Sequence, residues 1–128
     1  MSNSCVIAID GPSGAGKGTV ARALAKSLNC RHVDTGAMYR AVAWKVMHDG
    51  CELSDDAKIV EIAAGAQFNL DAGKIAVDGC DVTNQIRTPE IDAAAASVAR
   101  LPGVRFVLVD HQRELAAGAL VVMEGRDI

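Results

Sequence analysis

An uninterrupted apolar run, Cys5-Val6-Ile7-Ala8-Ile9, stops at Asp10 and passes directly into Gly11-Pro12-Ser13-Gly14-Ala15-Gly16-Lys17-Gly18-Thr19. A helix-compatible stretch follows. A strand without polar alternation suits the interior of a parallel sheet covered on both faces, so 5–9 is expected to be a central strand. The glycines let the chain turn sharply, with backbone N–H groups facing inward, and the helix N-terminus behind them adds unpaired donors. Such a turn is a ready cradle for phosphate oxygens, and Lys17 adds a mobile positive charge to it. This strand–loop–helix unit narrows the fold class to α/β with a parallel sheet, its reactive loops at the strand C-termini.

The rest of the chain fits that class. Helix is expected over 17–27, with Val20, Leu24 and Leu28 forming its apolar stripe and Asn29 stopping it. Residues 31–33 read as a second strand ending at Asp34-Thr35-Gly36, followed by helix over 37–48 that Gly50 ends. Ser54 is placed as an N-cap ahead of Asp55 and Asp56, opening a further helix. Residues 68–70 and 74–77, joined by Asp71-Ala72-Gly73 and followed by Asp78-Gly79, read as a small β excursion. Thr88-Pro89-Glu90 is a cap, a first-turn proline and a first-turn acid for an alanine-rich helix over 91–99. Pro102 opens a helix reaching 117, and 119–123 is another apolar strand. That strand runs into Glu124-Gly125-Arg126-Asp127-Ile128, an abrupt finish expected of a C-terminally truncated fragment.

Composition excludes several classes. The chain has 128 residues, 50% hydrophobic and 23% charged, with 12 Gly and 3 Pro, so disordered and collagen-like chains are ruled out. Its net charge of -3 and 3% aromatic content leave neither a basic stripe nor a stacking platform for nucleic acid. Cys5, Cys30, Cys51 and Cys80 form no CxxC or zinc-knuckle spacing, and are expected as free thiols buried in the core. No basic n-region or spanning apolar segment is visible, so a cytoplasmic protein without membrane contact is expected.

Within the glycine loop, residues 11 to 19 (Gly11, Pro12, Ser13, Gly14, Ala15, Gly16, Lys17, Gly18 and Thr19) nominate a nucleoside triphosphate. Lys17 would reach the β- and γ-phosphates. The general P-loop pattern has Ser or Thr directly after the lysine; here Gly18 intervenes and Thr19 follows. Ser13 and Thr19 read as loop ligands rather than nucleophiles, since the motif supplies no adjacent base. Thr19 is a candidate to support Mg²⁺, directly or through water.

Further segments carry a more specific likeness. Asp34-Thr35-Gly36-Ala37-Met38-Tyr39-Arg40, Ile86-Arg87-Thr88, the stretch from Ser97 to Arg105, Gln112-Arg113 and Gly125-Arg126-Asp127-Ile128 occur in order behind GPSGAGKGT. Together they closely resemble the bacterial cytidylate kinases, P-loop nucleoside monophosphate kinases, over essentially the whole chain. The resemblance implies one incomplete domain over 1–128, with a P-loop nucleoside triphosphate hydrolase-like parallel sheet flanked by helices and a β insert. The monophosphate-binding region would occupy about 35–103. It implies transfer of the γ-phosphoryl group of MgATP to CMP or dCMP, by a monomer when full length.

The same resemblance assigns residues. Lys17, Arg40 and Arg126 would be catalytic. Thr35, Arg40 and Arg126 would lie at the acceptor phosphate, with Ser97, Arg105 and Asp127 at cytosine; Glu124 stands where many relatives have Asp. Chemically, guanidinium forks suit a phosphomonoester, and a carboxylate accepts from the cytosine amino group but repels the uracil carbonyl. The resemblance also implies that the lid and the C-terminal core strands of full-length relatives, one of them a neighbour of the first strand, are expected to lie outside these 128 residues. The 128 residues alone are therefore expected to leave an apolar strand edge unpaired and to be weak or inactive. Another P-loop kinase, acting on UMP, AMP or shikimate, and an inactive nucleotide-binding protein are the alternatives.

Overall fold

In the computed structural model, residues 5–11, 16–71 and 73–125 are described. Strand β1 (Cys5–Asp10) leads to helix α1 (Lys17–Ser27), strand β2 (Arg31–Asp34) and helix α2 (Thr35–His48). Helix α3 (Asp56–Gly65) precedes three short strands, β3 (Phe68–Asp71), β4 (Lys74–Val77) and β5 (Cys80–Asp81). Helices α4 (Pro89–Ala99) and α5 (Pro102–Ala116) then lead to β6 (Leu120–Gly125).

The parallel sheet has the order β1-β6-β2, and β3-β4-β5 form a separate antiparallel sheet. The last strand is therefore the central one. Its Val122 packs with Ala21 and Ala25 of α1 on one face, while Val121 and Met123 join the larger core on the other. The expectation that β1 is central and doubly covered is corrected. β1 pairs only with β6 among the described strands; Ile7 and Ile9 lean on the α1 cluster, and Val6 is 45% exposed. An apolar run reports side-chain chemistry, not which backbone edges are paired.

The α1 stripe is also corrected. Ala21 and Ala25 are the buried residues of that helix, with Leu24 beside them, whereas Val20 and Leu28 are exposed. Small side chains let the helix sit close to the sheet, so its contact face is narrower than its apolar residues suggest. At α2 the helix begins two residues early, because the Asp34 side chain accepts from the Ala37 N–H (3.0 Å). Asp55, not Ser54, caps α3, accepting from the Lys58 N–H (3.2 Å). The longer carboxylate competes successfully with the serine hydroxyl, which donates instead to Glu52. Thr88 caps α4 as its Thr-Pro-Glu signature dictates, accepting from the Ile91 N–H.

The main core joins α2, α4, α5 and the insert through Met38, Val42, Ile75, Val98, Val104 and Leu108. All four cysteines are free, but none is buried: Cys5 and Cys80 are exposed, and Cys30 and Cys51 are half-buried. They lie at strand starts and helix ends; Cys30 and Cys51 pack against the margins of the core, whereas Cys5 and Cys80 face solvent. No helix among the described residues is long and apolar enough to cross a membrane.

Candidate functional site

The C-terminal ends of β1, β6 and β2 converge on one rim of the sheet. In register, Ile9 and Asp34 flank Glu124, and Asp10 lies beside Gly125. From this rim opens a cleft of about 920 Å³, bordered by Lys17, Thr35, Tyr39, Arg40, Arg105 and Glu124, with α4 forming part of the wall. That volume is of the size that holds a nucleotide-scale ligand.

Lys17 is the first residue of α1, directly after Gly16, whose left-handed φ of 77° makes the turn into the helix. Gly11 donates its N–H to the Gly125 carbonyl (3.3 Å), tying the start of the loop to β6. Gly18 and Thr19 belong to the first turn of α1. Pro12, Ser13, Gly14 and Ala15 lie outside the described residues, as do Arg126 and Asp127.

Glycine at position 18, in place of the usual hydroxyl residue, has a local reason. Glu124 Oε2 and Arg22 Nη1 lie 3.2 and 3.3 Å from where a side chain would begin there. Glu124 is buried, and its Oε1 is 2.7 Å from His32 Nε2. The carboxylate is thereby held against the first turn of α1.

On the opposite wall, Arg40 lies partly buried along α2, with Nη2 3.6 Å from Asp34 Oδ2. Its guanidinium also crosses the face of Gly36. Thr35 is buried and donates its hydroxyl to the Glu124 carbonyl (2.8 Å), so it locks α2 to β6 while bordering the cleft. Arg105 is exposed and donates from Nη1 to the carbonyls of Ala99 (2.9 Å) and Arg100 (3.3 Å), at the C-terminus of α4. Burial pushes the Tyr39 phenol above its usual range, partly opposed by the Arg105 charge, so Tyr39 stays a neutral hydroxyl at ordinary pH.

The structure thus brings Lys17, Thr35, Arg40 and Arg105 to one cleft. Ser97 does not border it: its side chain is exposed on α4, and its hydroxyl donates to the Ala93 carbonyl (3.4 Å). Sequence reading gave no role to His32 or Arg22. His32 meets Glu124 across 92 positions of sequence, a separation no local motif reports.

Close packing where β6 meets α2 gives a direct test. A methyl at Gly125 would overlap Thr35 Oγ1, which its bond to Glu124 holds in place. Gly125→Ala is expected to cost about 2 kcal/mol by overpacking, read from the denaturant midpoint. Thr35→Ala removes the obstructing hydroxyl, so the double variant should lose less than the sum of the two single changes. Strict additivity would contradict the contact.

Residues 7–128 match the family model described as cytidylate kinase. Three similar proteins bear the name cytidylate kinase. The one from Caldanaerobacter subterraneus subsp. tengcongensis is 49% identical over 122 residues, covering 95% of this chain and 54% of the relative. That from Pelotomaculum thermopropionicum is 50% identical, covering 95% and 56%. That from Desulforamulus reducens is 50% identical, covering 100% and 59%. The chain spans a little over half the length of the curated relatives it matches.

Proposed function

Because the chain belongs to the cytidylate kinase family, we propose that the protein transfers the γ-phosphoryl group of ATP to CMP or dCMP, giving CDP or dCDP. The observation that carries this reading is the shared cleft, with the loop lysine on one wall and Arg40 on the other. Those two positions suit a donor triphosphate and an acceptor monophosphate. On this assignment, Lys17 and the loop amides hold the donor, while Arg40 and Arg126 hold the acceptor phosphate. Arg105 and Asp127 read the base, Thr35 orders the acceptor wall, and about 35–103 is the monophosphate region; Ser97, outside the cleft with its hydroxyl bonded to Ala93, is left without a base contact.

The acceptor oxygen is already anionic near neutral pH, so the step needs no general base. It attacks the γ-phosphorus in line, the bond to the β,γ-bridging oxygen breaks, and ADP leaves. Catalysis is then alignment plus stabilisation of charge on the transferring group. No cluster of three or more acidic, His or Cys ligands capable of holding a metal occurs among the described residues. Mg²⁺ would arrive with ATP, held chiefly by phosphates and water. Glu124 of β6, beside the first turn of α1, and Thr19 within that turn are oxygen donors of the right hardness to support it. The ion supplies neutralisation of phosphate charge. A cytoplasmic setting, a monomeric full-length protein and no role for nucleic acid complete the reading.

Phosphorylation of CMP, dCMP, UMP and AMP by the complete protein tests it. CMP and dCMP are expected to lead UMP by at least about tenfold in kcat/KM. A single mispaired buried polar contact, here the uracil carbonyl against Asp127, costs about 1–3 kcal/mol. Turnover of UMP equal to that of CMP would remove the role given to Asp127, and preference for AMP would overturn the substrate assignment.

A further inference from the structure

Apart from the cleft, a narrow pocket of about 40 Å³ lies between α1, α2 and the antiparallel sheet. It has room for about three waters or one tetrahedral oxyanion, and none for a nucleoside. Arg22 of α1, Arg40 of α2, Lys74 of β4 and Arg87 of the segment before α4 all border it, with His32 of β2 beside them. Among the described side chains, one bordering carboxylate, Asp34, stands against these four cations.

That carboxylate is already engaged. Asp34 Oδ1 accepts from the Ala37 N–H, and Oδ2 faces Arg40. Glu124, the acid in contact with His32, is held by it. Asp81, the carboxylate on which Lys74 acts at longer range, is bound by the Thr83 hydroxyl (2.6 Å) and N–H (2.9 Å), which hold it below the usual range. The side chains of Arg22, Lys74 and Arg87 form no hydrogen bond or ion pair with another described residue. Cations from four separate elements around one small cavity give it a positive potential that favours an anion. Guanidinium forks and an ammonium are the donors that phosphoryl oxygens take.

We propose that this pocket is a phosphoryl-oxyanion site separate from the nucleotide cleft, bound through Arg22, Lys74 and Arg87, with Arg40 bordering both spaces. It does not depend on the kinase reading. Its ligand is inorganic phosphate or the phosphate of a nucleotide, which share the same recognising chemistry.

The test is amide NMR on the complete protein, titrated at constant ionic strength with sodium phosphate, with CMP, and with chloride as control. Resonances of Gly73, Lys74, Thr83 and Arg87 are expected to shift together and saturate with phosphate, CMP or both. Saturation by phosphate alone identifies a free oxyanion as ligand; saturation only by CMP identifies the nucleotide's phosphate. The double variant Lys74→Gln, Arg87→Gln should weaken that binding at least tenfold, while Arg113→Gln on α5 leaves it unchanged. Both altered side chains are exposed, so the fold is expected to survive, as the unchanged remainder of the spectrum would show. Shifts that chloride reproduces, shifts confined to the cleft residues, or binding indifferent to the double variant would each overturn the proposal.

Discussion

If the proposed phosphoryl transfer holds, Lys17→Ala is expected to lower kcat of the complete protein about a thousandfold while changing the KM for ATP much less. The lysine opens α1 immediately behind the glycine turn and borders the cleft; in the proposed reaction it would follow the γ-phosphoryl group as negative charge spreads over its oxygens. Preorganised charge in a water-poor site acts chiefly on the transition state, and a thousandfold corresponds to about 4 kcal/mol. Lys17 makes no ion pair with another described residue, so folding should be nearly unaffected. Steady-state kinetics with an unfolding control separates the two effects. A tenfold or smaller loss would mean that loop amides and Mg²⁺ carry the charge without the lysine.

Arg40→Ala is expected to fail on the other side of the reaction. The KM for CMP should rise about a hundredfold, in line with losing charge-assisted bonds of about 1.5–3 kcal/mol, while ATP binding stays within a few-fold of the parent. The change also exposes an incoming phosphate to Asp34, whose charge Arg40 partly offsets at 3.6 Å. Arg40→Ala, Asp34→Asn should therefore bind CMP better than Arg40→Ala alone, since asparagine retains the helix cap and removes the repulsion. The lost ion pair is partly exposed and worth at most about 1 kcal/mol of stability. Parallel losses for ATP and CMP would contradict the division of the cleft into donor and acceptor walls.

Much of this architecture is visible in the chain where interactions are local. Thr88-Pro89-Glu90 fixes the start of α4 because cap, proline and acid all act within one turn. The glycine turn marks β1 and α1 because few backbones can follow it. Strand order is not local: the central β6 pairs with strands about 115 and 90 residues earlier in the chain, a separation no local pattern reports. The same distance in sequence hides the His32–Glu124 contact and the closeness of Gly125 to Thr35. Arg22, Lys74 and Arg87 look like ordinary solvated charges one at a time; only folding sets them around one pocket. Arg40 and Arg105 could be assigned by resemblance, but their partners Asp34 and the α4 carbonyls needed coordinates.

A crystal structure of the complete protein with CMP and a non-hydrolysable ATP analogue measures the central geometry directly. The account predicts the triphosphate within about 3 Å of Lys17 Nζ and the CMP phosphate within the same distance of the Arg40 guanidinium, the two facing each other across the cleft. It would be contradicted by a CMP phosphate bound elsewhere, with Arg40 still turned toward Asp34.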